Sequence, residues 1–136
     1  MLRSAVAQQD ASIGVDENVV DSQAFARVLD EVRQRREEFD AGSHVPRDMI
    51  ERFKHVGIYR AATPKCFGGD ALAPHLFLQM IERISEADGS AGWVASFGSA
   101  GVYLAALPRE TLAELYAESP DLVFAGGLFP LQPAEA

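Results

Sequence analysis

Apolar side chains recur every three to four residues along five stretches of the chain, the spacing that places them on one face of an α-helix. The first stretch begins at Ser22, with Ser22 or Asp21 as its N-cap, and the second begins at Pro46 and stops at Gly57. The others cover about 74–87, about 91–107, and a segment starting near Pro108. The apolar stripes are Phe25, Val28, Leu29, Val32 and Phe39; Met49, Ile50 and Phe53; Leu76, Phe77, Met80, Ile81 and Ile84; and Leu112, Leu115 and Tyr116.

The fourth of these predicted helices carries no ionic side chain. A helix without charge has no well-solvated face, so we expect it to be enclosed by other elements. The small residues Gly92, Ser96 and Ala100 recur every fourth position and predict a ridge that another backbone can approach closely. The larger side chains Trp93, Phe97 and Tyr103 lie on its other faces.

The pattern changes at both ends and in the middle of the chain. Residues 1–21 are polar and lack a period, which predicts a flexible tail before a helical domain over 22–120. The segment 58–73 contains Pro64, Gly68 and Gly69 and predicts a structured loop. Residues 121–124 are strand-like, and Gly126-Gly127 indicates a bend. A lone strand leaves its ladder hydrogen bonds unmade, so 121–136 is interpreted as the start of a β-rich domain that this chain does not contain.

Composition narrows the class of protein. The 136 residues are 48% hydrophobic and 24% charged, typical of a soluble globular domain. A net charge of −8 disfavours binding to nucleic acid or to anionic lipid. The interrupted stretch 89–108 is interpreted as a buried helix and not a membrane span. Cys66 is the single cysteine, which excludes an internal disulfide framework and fits the cytoplasm.

Few residues combine into a recognisable reactive group. Cys66 has no partner at the spacing of a nucleophile and its base, and His44, His55 and His75 show no metal-ligand spacing. We predict no metal site. The loop 63–69 either offers backbone N–H groups to an anion or only joins two helices. The fourth helix either lines an apolar ligand pocket or is a core helix whose glycines serve packing.

The order of the motifs resembles one family. Gly57-Ile58-Tyr59-Arg60, then Pro64-Lys65-Cys66-Phe67-Gly68-Gly69, an acidic helix ending Ser85-Glu86-Ala87-Asp88, and Gly89-Ser90-Ala91-Gly92-Trp93-Val94 follow one another. This order resembles the N-terminal helical domain of the acyl-CoA dehydrogenase superfamily. The Gly-Ser-x-Gly-Trp-Val motif is most similar to the branch of flavin-dependent hydroxylases that form the oxygenase components of two-component monooxygenases.

The resemblance implies a mainly α domain of about five helices, ending in the first strand of a middle β-domain. It also implies a subunit completed by a four-helix bundle, a homotetramer, a flavin (FAD or FMN) and a separate flavin reductase. Substrate then lies against the fourth helix, with Trp93, Ser96, Phe97 and Ala100 as pocket wall. Gly126, Gly127 and Leu128 match the positions that contact the isoalloxazine ring in relatives.

Two departures from the family pattern bear on function. Many hydroxylases of this branch carry a histidine in the middle of the fourth helix, where this chain has Ser99-Ala100-Gly101-Val102. Dehydrogenase relatives show Leu-Thr-Glu-Pro near the flavin, where this chain has Gly127-Leu128-Phe129-Pro130. No catalytic residue is assigned. The leading hypothesis is part of a reduced-flavin monooxygenase acting on an aromatic or planar substrate. The alternatives are part of an FAD-dependent acyl-CoA dehydrogenase and a non-enzymatic helical interaction module.

Overall fold

The computed structural model describes Val20 and residues 22–124, and this part of the chain is helical, as predicted. It contains no β-strand, and no helix in it is long and apolar enough to cross a membrane. In chain order its helices are α1 (Gln23–Gln34), α2 (Arg36–Gly42), α3 (Arg47–His55), a 3₁₀ helix (Lys65–Phe67), α4 (Pro74–Ala87), α5 (Gly89–Ser96), a second 3₁₀ helix (Phe97–Ala100), α6 (Gly101–Leu104) and α7 (Arg109–Leu115).

The predicted helix boundaries follow from local chemistry. The Ser22 hydroxyl accepts from the Phe25 N–H at 3.2 Å and caps α1, and the Asp88 carboxylate accepts from the Ala91 N–H at 2.8 Å and caps α5. Gly57 ends α3 with φ of 86°, a left-handed conformation that favours glycine. The sequence predicted the first cap at Ser22 or Asp21 and the end of α3 at Gly57, and in the structure Ser22 is the cap.

The first predicted helix is divided in two at Arg35. Its guanidinium lies among three carboxylates, at 3.2 Å from Glu31, 2.7 Å from Glu38 and 2.5 Å from Asp48. Glu38 lies on α2 and Asp48 on α3, so one arginine joins α1 to the next two helices. Its hydrogen bonds hold the pKa of the Glu38 and Asp48 carboxyls below their ordinary values and raise the pKa of the guanidinium.

The core forms where the apolar stripes meet, and α4 makes its most extensive helix contacts with α5 and then α1. Its largest fully buried side chains are Tyr59, Phe25, Phe53, Met49, Ile58, Met80, Ile84 and Val32. Arg36 reaches across to the C-terminus of α4, where its guanidinium donates to the carbonyls of Glu86 and Ala87. That contact supplies donors to carbonyls that have no partner within the helix.

The prediction of one continuous helix from 91 to 107 was wrong. The segment is α5, a 3₁₀ turn and α6, and it begins two residues earlier than predicted. The hydroxyls of Ser96 and Ser99 donate to the carbonyls of Trp93 and Ser96, at 2.6 and 2.8 Å. Serine bonds to nearby carbonyls compete with regular helical hydrogen bonds.

The last described helix is less buried than predicted. Tyr116 is buried just after α7, but Leu115 on α7 is 41% exposed, contrary to the prediction that its whole stripe is covered. Residues 121–124 have no regular secondary structure. The rest of the predicted strand, 125–130, lies outside the described residues, as does the predicted tail 1–21 apart from Val20.

Candidate functional site

One face of α5 is built from small residues and packs tightly. Ala91, Gly92 and Ala95 are buried, and a Cβ added at Gly92 would lie 2.7 Å from the Ser85 Cα on α4. A Cβ added at Gly98 would lie 2.7 Å from the Ile58 carbonyl oxygen. The close approach therefore occurs at Gly92 and Gly98. The predicted ridge was correct at Gly92, whereas Ser96 is half-exposed, and the side chain of Ala100 lies outside the described part of the structure.

The opposite side of this segment is open to solvent. Trp93 is 68% exposed, Val102 64% and Tyr103 79%. We call these three residues the apolar surface of α5 and α6. The expectation that the helix is enclosed was wrong for this chain, because the small residues take the side facing α4 and leave the large side chains outside.

Trp93 also lines a cavity that sequence reasoning missed. The cavity, of about 510 Å³, lies between the start of α5 and the connection from α2 to α3. Trp93 and Val94 form one wall, and His44 and Val45 form part of the other. The His44 Nδ1 lies 2.7 Å from the Gly42 carbonyl oxygen, which fixes the ring. No periodicity could reveal this pairing, since it joins positions about 50 residues apart.

The structure brings two of the predicted wall residues into direct contact. The rings of Trp93 and Phe97 meet edge to face, with centroids 5.6 Å apart and planes at 75°. Ser96 lies between them in sequence, with its hydroxyl already donating to the Trp93 carbonyl. Ala100 falls at the end of the second 3₁₀ helix. The predicted flavin contacts Gly126, Gly127 and Leu128 lie outside the described residues.

A buried tyrosine supports this wall from beneath. Tyr59 is 1% exposed, and its hydroxyl donates to the Val94 carbonyl oxygen at 3.5 Å. Burial raises the pKa of Tyr59 to about 12, because the charged phenolate would lose its hydration there. The contact supplies α5 with a polar attachment in an otherwise apolar interface.

The loop 58–73 is structured, as predicted, and folds back on itself. The N–H groups of Asp70, Ala71 and Leu72 donate to the carbonyls of Arg60, Thr63 and Ala61. A Cβ at Gly69 would lie 2.5 Å from the Thr63 carbonyl carbon, so only glycine fits there. Cys66 is exposed on this loop, and the described residues hold no group of three His, Cys, Asp or Glu side chains suited to a metal ion.

The chemistry of the apolar surface suits a flat ring. The segment 89–108 contributes no charge, and Trp93 with Phe97 offers aromatic edges and faces for stacking. Such a surface offers stacking and apolar contact to a flat ring, and it offers no charge to an anion. No proton-transfer group is assigned among the described residues.

Comparison with known proteins agrees with this architecture. The family model described as acyl-CoA dehydrogenase, N-terminal domain, matches residues 16–116. An indole-3-acetate monooxygenase from Pseudomonas putida is 61% identical over 114 residues, covering 82% of this chain. The oxygenase component of an FADH₂-dependent resorcinol hydroxylase from Rhizobium sp. is 31% identical, also over 82% of the chain. The crystal structure of 3-HSA hydroxylase from Rhodococcus sp. RHA1 superposes with a TM-score of 0.70 at 26% identity, over 74% of this chain and 26% of that one.

This chain spans 29% of the length of the Pseudomonas monooxygenase and 27% of the Rhizobium hydroxylase. The matched region includes the close-packed α4–α5 pair, Trp93 and the Gly68-Gly69 loop. Since the family model covers most of the residues and the helical fold is shared with a solved hydroxylase, the chain belongs to the acyl-CoA dehydrogenase family, whose N-terminal domain it carries.

Proposed function

We propose that the chain is the N-terminal substrate-pocket domain of a reduced-flavin-dependent monooxygenase that hydroxylates an aromatic substrate. The observation that carries this proposal is the uncharged apolar surface of α5 and α6, with Trp93 exposed and in edge-to-face contact with Phe97. The named activities of the relatives, an indole-3-acetate monooxygenase and a resorcinol hydroxylase, support the same class of reaction.

The substrate proposed is an arylacetate of the indole type. Support comes from the 61% identity to the Pseudomonas indole-3-acetate monooxygenase and from the size and flatness of an indole, which suits stacking on Trp93. Trp93 and Phe97 form the wall, and Ser96 and Ala100 complete it in this proposal. The Ser96 hydroxyl donates a hydrogen bond to the Trp93 carbonyl oxygen, so the proposed role of Ser96 is to fix the backbone that carries the Trp93 side chain.

The cofactor proposed is reduced FAD, supported by the name of the Rhizobium hydroxylase. When bound, reduced flavin supplies the electrons that activate molecular oxygen for ring hydroxylation. The chain's own residues exclude water from this chemistry and orient the substrate ring. Gly126, Gly127 and Leu128 are proposed to approach the flavin ring through their backbone.

Partners and location follow from the same assignment. The Rhizobium hydroxylase is named as an oxygenase component, so we propose a separate reductase that delivers the reduced flavin. We also propose a homotetramer in the cytoplasm. The exposed apolar surface supports an assembly in which other protein layers cover Trp93 and Tyr103.

A chimera tests the proposal. Residues 22–124 replace the matching segment of the Pseudomonas putida monooxygenase, and the product is assayed for oxygen- and reduced-FAD-dependent consumption of indole-3-acetate. We expect the chimera to turn over indole-3-acetate.

In the same chimera, Trp93→Ala should raise the KM for the aromatic substrate roughly tenfold because a stacking partner is lost. The matched control is Leu78→Ala, another exposed apolar side chain (63%) on α4, which should change the KM less than twofold.

The competing assignment, an acyl-CoA dehydrogenase, has a different readout in the same chimera. The family model's description favours it, and it predicts oxidation of acyl-CoA with transfer of electrons to an external acceptor. A chimera that folds, binds reduced flavin and oxidises acyl-CoA but not indole-3-acetate would overturn the monooxygenase proposal. A chimera that folds and binds no flavin would overturn both.

A further inference from the structure

The cavity between α5 and the connection from α2 to α3 places a tryptophan opposite a histidine. Trp93 and Val94 belong to the wall on α5, and His44 and Val45 belong to the facing wall. Its volume of about 510 Å³ falls within the range of roughly 300–1,000 Å³ that is usual for small-molecule pockets. A bicyclic aromatic molecule is small enough to enter it and stack on Trp93.

The backbone at the end of α2 carries the histidine to this cavity. Ser43 ends α2 in the left-handed conformation, with φ of 54°, and this turns the chain before α3 begins. The ring of His44 packs closely on Gly42, where an added Cβ would lie 3.2 Å from both Nδ1 and Cε1. The missing side chain at Gly42 therefore leaves room for the ring to reach the Gly42 carbonyl oxygen.

The hydrogen bond to Gly42 decides which nitrogen of His44 carries the proton. Nδ1 lies 2.7 Å from the Gly42 carbonyl oxygen. Because a carbonyl oxygen only accepts, Nδ1 is protonated in the neutral ring, and Nε2 is then a hydrogen-bond acceptor. Nε2 has no hydrogen-bond partner among the described residues. The cavity wall therefore offers a fixed acceptor opposite Trp93.

The other polar side chains around the cavity can also accept hydrogen bonds. Asp40 contributes a carboxylate, and Ser43 and Ser90 contribute hydroxyls. None of the described residues that line the cavity is a lysine or an arginine. This lining favours a flat ring that carries an N–H donor. A carboxylate on the same ligand must point away from Asp40, toward solvent, because like charges repel.

We propose that His44 is a specificity-determining residue for the aromatic substrate: its Nε2 accepts a hydrogen bond from the ring N–H of an indole stacked on Trp93 in this cavity. This inference rests on the proposed function, because the indole substrate belongs to it. It adds the orientation of the ring, with the N–H toward His44 and the acetate group toward solvent. The position and tautomer of the histidine do not rest on the proposed function, so two tests separate them.

Histidine nitrogen spectra of this chain test the geometry without turnover. In ¹⁵N-labelled protein, long-range ¹H–¹⁵N correlations should show neutral His44 protonated at Nδ1. Indole-3-acetate should move the Nε2 resonance of His44, whereas 1-methylindole-3-acetate, which lacks the N–H, should leave it in place. His55 and His75 are internal controls, because neither lines the cavity. A proton on Nε2 of the neutral ring, or the same Nε2 response to both compounds, would overturn the proposal.

Kinetics of the active chimera described above test the specificity. His44→Leu should raise the KM for indole-3-acetate about three- to tenfold, the effect of losing one hydrogen bond. The competitive inhibition constant of 1-methylindole-3-acetate should change less than twofold. His44→Gln, which offers an amide oxygen as acceptor, should recover most of the lost affinity. The matched control is His75→Leu, which removes an exposed histidine on α4 and should leave both constants within twofold of the wild type.

Two results in the chimera would contradict the proposal. If His44→Leu raises both constants equally, the histidine acts through packing and not through the ring N–H. If His44→Leu changes neither constant, the hydrogen bond does not form. An inactive wild-type chimera contradicts the proposed function instead, and the nitrogen spectra of this chain then decide the role of His44.

Discussion

At the scale of single residues, Gly92 and Gly89 lie three positions apart in α5 and have opposite surroundings. A Cβ at Gly92 would meet the Ser85 backbone on α4, whereas a Cβ at Gly89 has no other atom within 4 Å. We expect Gly92→Ala to lower the free energy of unfolding by about 1–3 kcal/mol, because α4 and α5 must separate. Urea unfolding followed by circular dichroism measures it.

The matched control is Gly89→Ala. It adds the same methyl group to the first turn of the same helix, and the free energy of unfolding should change by less than about 0.5 kcal/mol. Equal losses in the two variants would show that the α4–α5 contact does not depend on the absence of a side chain at Gly92.

The carboxylates that contact Arg35 make the stability of the folded chain depend on pH. Its hydrogen bonds lower the folded-state pKa of Glu38 and Asp48 from their ordinary values of 4.5 and 3.8. A lowered folded-state pKa adds stability above the unfolded value, and that stability is lost as the pH falls through the folded value. The difference in unfolding free energy between wild type and Arg35→Met should therefore be constant above about pH 5 and shrink below pH 4.5.

Arg33→Met is the control for that experiment. Arg33 is on the exposed side of α1 and pairs with Asp30 within the same helix at 2.9 Å. Exposed pairs of this kind contribute little, so its difference from wild type should stay small across the acid range. Matching profiles for the two variants would contradict a special role for Arg35 in joining α1, α2 and α3.

At the scale of elements, the cap of α5 decides where the helix carrying Trp93 begins. The Asp88 carboxylate accepts from the Ala91 N–H, and Asp88 itself is extended, which separates α5 from α4. Asp88→Ala should lower the free energy of unfolding by about 1 kcal/mol. Asp88→Asn keeps an acceptor and should lose less than half as much. Thermal unfolding of the three proteins compares them, and equal losses would contradict the capping role.

The sequence predicted the ends of elements better than their interiors. Ser22, Gly57 and the span Pro74–Ala87 were placed correctly, because a cap or a stop depends on residues within one turn. The break at 97–100 was not predicted. It depends on two serine hydroxyls and on the close approach of Gly98 to Ile58, which no local pattern reports.

At the scale of the whole molecule, the exposed surface of α5 and α6 makes the chain prone to association. Trp93 is the single tryptophan, so tryptophan fluorescence shows directly whether this surface is exposed to water or covered by protein. We expect the Trp93 emission to shift to shorter wavelength as protein concentration rises.

The double variant Trp93→Gln, Tyr103→Gln should sediment as a smaller species than the wild type at the same concentration. Its thermal midpoint should be unchanged, because both side chains are exposed.

Leu78→Gln controls for the loss of any exposed apolar side chain. Leu78 is 63% exposed on α4 and lies outside the apolar surface of α5 and α6. If Leu78→Gln reduces association as much as the double variant, the association is not specific to that surface. If neither variant reduces it, another part of the chain is responsible.

Residue types at short spacing were enough to predict the helical class, the capped ends of the helices, the loop at Gly68-Gly69, the charge-free segment and the family. The buried face of α5, the break in that helix and the segment that the loop 58–73 contacts became known from the packing of the helices. Those features join Gly98 to Ile58, Trp93 to the cavity at His44, and Thr63 to Pro120. Periodicity reports neighbours within a few residues, whereas steric fit and hydrogen bonds between distant segments depend on how the helices pack together.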